Sequence, residues 1–183
     1  MPINTILIVD DEPSILSSLN RALSSESWEV ITELSGEQAL VRMRERPIKV
    51  LISDGRMANM QGAELLSTAK ILYPQTVRIL LTGYANLDAV ISVINYCEIF
   101  RLLTKPWNDE TLKMIVHAAL NKYDRQQKVL HVFKMFDDNP ALLPFIEHNY
   151  PRICSFLQNK QYALSAPALN DDEFRDVMQL LTA

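Results

Sequence analysis

The sequence has 183 residues, of which 48% are hydrophobic and 22% charged, values typical of a folded globular protein and not of a disordered chain. The formal net charge of -4 argues against general attraction to nucleic acid or to an anionic membrane surface. Two cysteines far apart in the sequence make neither a disulfide framework nor a zinc ligand set, and no apolar run is long enough to span a membrane. We therefore expect a cytoplasmic protein that binds neither nucleic acid nor membrane.

The first two-thirds of the chain alternate short apolar runs with amphipathic stretches. This periodicity predicts strands at residues 6–9, 28–31, 48–53, 77–81 and 99–103. It predicts helices at residues 13–23, 36–46, 62–73 and 86–96. Strands and helices in this alternation indicate an α/β fold with an open, doubly wound, mostly parallel sheet.

Four of the predicted strands end in polar residues. Asp10 and Asp11 follow the first strand, Asp54 follows the third, Thr82 the fourth and Lys105 the fifth. Ligands of such sheets bind at the carboxyl ends of the strands, so these side chains are expected to converge. Converging carboxylates repel one another unless a cation neutralises them, and oxygen ligands suit Mg²⁺ or Mn²⁺. The set fits a carboxylate nucleophile that accepts a phosphoryl group.

The last predicted helix is unusually long. Asn108 is a good N-cap, and helical spacing continues from there to about Phe136. Apolar residues with one polar exception follow a heptad-like seam at Leu112, Val116, Ala119, Tyr123, Gln126, Leu130 and Phe133. Only the first half is needed to cover the sheet, so the second half is expected to pack on the C-terminal segment or on a second chain. Beyond a break at 137–140, short helices are predicted at residues 141–149, 151–161 and 171–181.

Four segments together resemble the receiver domain of two-component response regulators. They are Ile6–Pro13, Ile52–Met57, Leu81–Tyr84 and Leu103–Trp107, which occur in the order and spacing of that family. The resemblance covers about residues 4–124. It implies a flavodoxin-like five-stranded parallel sheet of order 2-1-3-4-5, with a receiver domain at 1–124 and a helical extension of unrecognised family at 125–183.

The resemblance also implies a role for each polar residue at the strand ends. Asp54 is the expected phosphoacceptor, phosphorylated by a sensor histidine kinase or a phosphotransfer protein. Thr82 is expected to close on the phosphoryl group, Lys105 to pair with the acceptor, and Pro106 to follow a cis peptide bond. The implied Mg²⁺ ligands are Asp11, Asp54, the backbone carbonyl of Arg56 and, through water, Asp10. Such a module is a signalling switch and not an enzyme.

The sequence departs from the family pattern at three places. The family often has an aromatic residue three positions before the lysine, where this chain has Leu102, with Phe100 two residues earlier. The pattern acid-x-x-Met-Pro has Ala58 in place of the proline. Arg56 and Tyr84 are bulky at positions that flank the path of the hydrolytic water, which predicts slow loss of phosphate. None of these departures removes a group that the chemistry needs.

The C-terminal third is expected to act through protein contacts. Residues 125–183 carry six Lys and Arg against seven Asp and Glu, so they lack the basic face of a DNA-binding module. We therefore expect a downstream protein partner, with a homodimer through the extended last helix as a possible form of the output.

Two alternatives to this reading stay open. The chain can be a receiver-like scaffold that binds partners without phosphorylation, which Leu102 and Ala58 favour. An Mg²⁺-dependent phosphatase of haloacid-dehalogenase type also uses an aspartate nucleophile. That class normally places Asp-x-Asp after its first strand, whereas the expected acceptor here follows the third.

Overall fold

The structure is a computed structural model that describes residues 4–83 and 96–138, together with Pro144 and His148. The chain divides into two compact units, Met1–Tyr123 and Asp124–Ala183. Most of the helix predicted at 86–96 lies outside the described residues. The same is true of the C-terminal helices, apart from the two single residues named above.

A five-stranded, all-parallel sheet forms the centre of the first unit, with strand order β2-β1-β3-β4-β5. The predicted doubly wound fold and its 2-1-3-4-5 order are confirmed. The strands are β1 (Asn4–Val9), β2 (Trp28–Glu33), β3 (Val50–Asp54), β4 (Val77–Thr82) and β5 (Arg101–Thr104). The described helices are α1 (Pro13–Leu23), α2 (Gly36–Glu45), α3 (Gly62–Leu72) and α4 (Asp109–Asp138).

Two strands begin later in the chain than their apolar runs predict. The third predicted strand starts at residue 48, whereas β3 starts at Val50 and includes Asp54 as its last residue. The fifth predicted strand starts at residue 99, whereas β5 starts at Arg101. Ile48 is buried although it lies outside β3. An apolar run indicates which residues are buried, whereas the bounds of a strand depend on backbone hydrogen bonds, so the two need not begin at the same residue.

Both faces of the sheet are covered, and β1 shows how one strand serves both. Ile6 and Ile8 pack in a cluster with residues of α1 and α4, while Leu7 and Val9 pack in a second cluster with residues of α2 and α3. All four side chains are fully buried. This is why β1 is a continuous apolar run and not an alternating one. The result is a three-layer arrangement in which helices cover both faces of the sheet.

The strand register brings the polar residues together. Val9, the last residue of β1, pairs with Ser53 of β3, and Asp54 pairs with Leu81 of β4. Thr82 in turn pairs with Thr104 of β5. Residues that end or directly follow these strands therefore share one edge of the sheet, as the sequence predicts.

Helix α4 has the predicted cap and exceeds the length that the sheet needs. The Asn108 side chain accepts a hydrogen bond from the Thr111 backbone N–H at 3.0 Å, which confirms the N-cap. Leu112 and Val116 are fully buried against the sheet. The helix spans 30 residues, or about 45 Å. In the part of the chain that the structure describes, no helix has both the length and the apolarity to cross a membrane.

Candidate functional site

Three aspartates lie at the carboxyl edge of the sheet in different environments. Asp10, directly after β1, is fully buried, and its Oδ1 accepts a hydrogen bond from the Glu12 N–H at 2.9 Å. Asp54, the last residue of β3, is 6% exposed. Asp11 is exposed to solvent. The sheet therefore presents two acids from its interior and one from its surface.

Lys105 bridges the two buried acids. Its Nζ lies 2.7 Å from Asp10 Oδ2 and 2.6 Å from Asp54 Oδ1. The Lys105 backbone N–H donates to the Thr82 carbonyl at 2.8 Å, which fixes the lysine beside the end of β4. The bond between Lys105 and Pro106 is cis, as the resemblance implies. The three side chains predicted to meet from three different strands therefore do meet.

Burial and charge change the proton affinity of this group. Burial raises the pKa of Asp10, and the nearby charge of Asp54 adds to the rise, although the bonds from Lys105 and Glu12 oppose it. Burial alone lowers the pKa of Lys105, but its hydrogen bonds and ion pairs with the two acids raise it overall. The lysine stays charged, and one positive charge serves two buried carboxyl groups.

The segment after β3, residues 55–61, is tied to the acids through its backbone. The Arg56 N–H donates to Asp54 Oδ2 at 2.8 Å. The Ala58 N–H donates to Asp11 Oδ2 at 2.9 Å, so the loop after the third strand is bonded to the loop after the first. Asn59 has a positive φ of 62°, a conformation that asparagine tolerates better than most residues. We call residues 55–61 the acceptor loop.

Thr82 lies where the sequence predicts it. It is the last residue of β4, 7% exposed, and one position beyond Leu81, the cross-strand partner of Asp54. The aromatic position of the family is occupied differently. Leu102 is half-buried in the cluster with α2 and α3, whereas Phe100 packs on the α1 and α4 side. The Lys122 Nζ lies 5.1 Å from the centre of the Phe100 ring, which connects that ring to α4.

Two parts of the site have no side-chain signal in the sequence. One is the Ala58 N–H, because a backbone donor is invisible to residue type except where proline removes it. The other is Gly62 at the start of α3. A Cβ atom there would lie 1.9 Å from the Asp54 carbonyl oxygen, so only glycine allows the helix to approach. The glycine itself was the available clue, since glycine is unfavourable inside a helical pattern.

The donor set of the site suits a hard divalent cation. Lys105 balances one of the two buried carboxylates that it contacts, and Asp11, the next residue after Asp10, adds a third carboxyl group at this edge of the sheet. Carboxylate and carbonyl oxygens are the ligands that Mg²⁺ prefers. Within residues 4–83 and 96–138, no three Asp, Glu, His or Cys side chains are grouped to hold an ion as they stand. The residues nevertheless fit Mg²⁺ by chemistry and charge.

The sequence relatives are transcriptional regulators. The chain is 32% identical over 116 residues to the hydrogenase transcriptional regulatory protein HoxA of Cupriavidus necator, covering 63% of this chain and 24% of that protein. It is 32% identical over 123 residues to the DNA-binding transcriptional regulator NtrC of Salmonella typhimurium, covering 67% of this chain and 26% of that protein. The chain thus spans about a quarter of the length of the curated relatives it matches.

Solved structures of similar fold include receiver domains. The signal receiver domain of an HD domain-containing protein from Pseudomonas fluorescens Pf-5 is 33% identical with a TM-score of 0.67, covering 69% of this chain and 93% of that one. The beryllofluoride-activated NtrC4 receiver domain dimer is 27% identical with a TM-score of 0.63, covering 66% and 99%. Residues 6–117 match the family described as the response regulator receiver domain, and the chain belongs to that family.

Proposed function

We propose that this chain is a phosphorylation switch in which Asp54 accepts a phosphoryl group from the phosphohistidine of a sensor kinase or a phosphotransfer protein. The observation that carries the proposal is the position of Lys105. Its ammonium lies between Asp54 and Asp10, so a positive charge is already at the place where negative charge accumulates on a transferred phosphoryl group. Family membership supplies the class of reaction, and receiver domains are signalling modules and not enzymes.

The proposed reaction is a displacement at phosphorus. A carboxylate oxygen of Asp54 forms the new O–P bond while the N–P bond of the donor phosphohistidine breaks, and the leaving imidazole nitrogen takes a proton. Asp54 has one oxygen bonded to Lys105 and the other to the Arg56 N–H, which fixes the direction of the carboxylate. Lys105 moves from pairing with the carboxylate to pairing with phosphoryl oxygens. The Thr82 hydroxyl, at the end of the adjacent strand, donates to the same oxygens.

We assign the Mg²⁺ site to Asp11, Asp54 and the Arg56 carbonyl, with Asp10 acting through water. Bound Mg²⁺ supplies charge neutralisation for the phosphoryl oxygens. Asp10 is suited to an indirect role, because both of its oxygens already accept hydrogen bonds, one from Glu12 and one from Lys105. Asp11 is suited to direct ligation because its side chain is exposed.

The test is phosphorylation by a small-molecule donor. Purified protein is incubated with acetyl phosphate and Mg²⁺, and the phosphoryl group is detected by intact mass. The native chain is expected to gain one phosphoryl group and the Asp54→Asn variant none. Glu64→Gln, an exposed acid-to-amide change on α3, is the matched control and is expected to react like the native chain. A phosphoryl group on Asp54→Asn overturns the assignment. If the native chain is never labelled, the phosphorylation-independent scaffold replaces this proposal.

For the output, we propose that residues 1–124 act as the receiver and 125–183 as a helical extension that signals through protein contacts. The extension has a net charge of -1, which does not suit a DNA-binding surface. The names of relatives such as NtrC include DNA binding, but the alignment covers about a quarter of those proteins. The described part of the extension is the continuation of α4 to Asp138, with a half-buried Leu130 at a seam position, and the single residues Pro144 and His148.

The output is tested by light scattering on a sizing column, with Mg²⁺ and with or without beryllofluoride as a phosphoryl mimic. Binding of the mimic is followed by Trp107 fluorescence in a Trp28→Phe background, which leaves one tryptophan. If the fluorescence responds and the mass doubles, the switch dimerises, and Leu130→Lys is expected to abolish the doubling. If the fluorescence responds at constant mass, the homodimer is excluded, and the output is intramolecular or needs a separate downstream protein.

A further inference from the structure

Ala58 differs from the usual residue of the family at this position because it has a backbone N–H that can donate a hydrogen bond. The family pattern has proline at this position, and proline has no N–H to donate. Here the Ala58 N–H donates to Asp11 Oδ2 at 2.9 Å. The substitution of alanine for proline therefore adds a hydrogen bond between the acceptor loop and one of the proposed Mg²⁺ ligands.

Among the three aspartates, Asp11 has the greatest freedom to move. Asp10 is fully buried and bonded to Glu12 and Lys105, while Asp54 is bonded to Lys105 and the Arg56 N–H. Asp11 is exposed. The proposed site takes two carboxylates as direct ligands: Asp54, which Lys105 and the Arg56 N–H already hold, and Asp11, whose Oδ2 accepts from the Ala58 N–H. Asp11 is the acid that can turn at the least cost.

We propose that the Ala58 N–H holds the Asp11 carboxylate on the acceptor loop in the metal-free protein, so that Mg²⁺ binding and the position of this loop compete for Asp11. The inference rests on the proposed Mg²⁺ site. Ligation through Oδ2, the oxygen that the Ala58 N–H holds, gives up a hydrogen bond accepted by a charged oxygen, which is stronger than one between neutral groups. Ala58 is thus a positioning residue that weakens metal binding and makes the acceptor loop responsive to it.

The first test measures the Mg²⁺ dissociation constant of Ala58→Pro against Ala58→Ser. Proline removes the N–H, whereas serine keeps it. The readout is isothermal titration calorimetry with Mg²⁺ alone, and it requires no phosphorylation. We expect Ala58→Pro to bind Mg²⁺ up to about tenfold more tightly, the equivalent of one charge-assisted hydrogen bond, and Ala58→Ser to match the native chain. Equal affinity of the two variants, or weaker binding by Ala58→Pro, overturns the inference.

The second test uses the native chain and does not depend on how the proline variant folds. Hydrogen exchange of the Ala58 amide is followed by NMR with and without Mg²⁺. The amide is expected to be protected without Mg²⁺ and to lose protection at saturation, while the Arg56 amide, bonded to Asp54, serves as the internal comparison. Protection of Ala58 that is unchanged by bound Mg²⁺ overturns the inference and leaves the proposed site intact. If the native chain binds no Mg²⁺, the site itself fails, which is a distinct result.

Discussion

Gly62 lies against Asp54 so closely that a Cβ atom at Gly62 would be 1.9 Å from the Asp54 carbonyl oxygen and 2.9 Å from its carbonyl carbon. The first turn of α3 thus packs directly on the backbone of the proposed phosphoacceptor. The Gly62 N–H also donates to the Gly55 carbonyl at 3.3 Å, which closes the acceptor loop at its base. Because Gly62 has no side chain, α3 can pack against the backbone of Asp54 and so helps to set the position of this residue at the end of β3.

Gly62→Ala is expected to destabilise the protein strongly. The added methyl group meets backbone atoms that belong to β3, and neither the strand nor the helix can yield without losing packing. We expect the free energy of unfolding to fall by about 3 kcal/mol, the upper end of the usual range for overpacked core positions. Urea unfolding followed by circular dichroism measures this change.

Gly36→Ala is the control, because it adds the same methyl group at the start of another helix. A Cβ there meets the Met60 side chain at 2.6 Å from Sδ, and a flexible thioether can move aside. We expect a change within about 1 kcal/mol. A loss for Gly36→Ala as large as that for Gly62→Ala contradicts the special role of the Gly62 contact.

Lys105→Met is expected to cost about 3 kcal/mol of stability in the absence of Mg²⁺. It leaves two buried carboxylates without the cation that both contact, and an uncompensated buried charge is strongly destabilising. Adding Mg²⁺ is expected to restore part of the loss by replacing positive charge and by binding the folded state. Denaturant unfolding with chelator and with millimolar Mg²⁺ separates the two conditions.

Lys113→Met serves as the comparison for the Lys105 prediction. Lys113 is on α4 and pairs with Glu110, whose side chain is 81% exposed, so its loss is expected to change stability by less than about 1 kcal/mol. Equal effects of the two variants would show that the bridge between Asp10 and Asp54 is no stronger than a surface ion pair.

The order of the sheet and the meeting of Asp10, Asp54 and Lys105 were predictable from the sequence. Each of these residues directly follows or ends an apolar run, and parallel strands deliver their carboxyl ends to one edge. Pattern and topology are thus enough to say which residues converge. They are not enough to say how the charges of the converging residues are neutralised. That Lys105 serves two buried acids depends on burial, which no spacing encodes.

Other features were not predictable because they depend on what lies across a contact. From the sequence alone, Gly62 is only an unfavourable residue for a helix. The structure shows that glycine is needed there because the Asp54 carbonyl lies against it. Arg78 lies in β4, where every residue is buried, and its charge contradicts the apolar character of that strand. Its hydrogen bonds go to backbone carbonyls, which every residue type possesses, and the Glu98 carboxylate lies 3.9 Å from it. A sequence pattern therefore gives no sign of where this guanidinium is satisfied.

Asp10→Asn is expected to stabilise the metal-free protein at neutral pH while leaving Lys105 paired with Asp54. Burial raises the pKa of Asp10 in the folded state above the ordinary 3.8. Between these two pKa values the folded state binds more protons than the unfolded state, so native stability falls as pH rises through the window. At a pH above the folded-state pKa of Asp10, the buried carboxylate is charged and lowers the stability of the native chain by the full amount. The asparagine variant has no such charge.

The pH profile is the measurement for this prediction. The difference in unfolding free energy between Asp10→Asn and the native chain is recorded in chelator from neutral pH downward. The advantage of the variant is expected to shrink as the pH falls toward 3.8 and to vanish below it. An advantage that grows on acidification contradicts the raised pKa. Glu64→Gln controls for the simple loss of one negative charge.

Arg78→Met is expected to cost about 2 to 4 kcal/mol and to loosen the segment that leads into β5. The Arg78 guanidinium is buried and donates to the Cys97 carbonyl at 3.0 Å and to the Thr76 carbonyl at 2.8 Å. A methionine fills similar space but leaves these buried acceptors without donors. The change is measured by urea unfolding and by hydrogen exchange over residues 96–100.

Arg44→Met is the matched control for Arg78→Met, because Arg44 is an exposed arginine on another element, α2. It is expected to change stability by less than about 0.5 kcal/mol and to leave exchange at residues 96–100 as it is in the native chain. Faster exchange confined to Arg78→Met identifies the buried guanidinium as the anchor of this segment. If Arg78→Met keeps native stability and native exchange, the hydrogen bonds to Cys97 and Thr76 are not what holds the segment on the sheet.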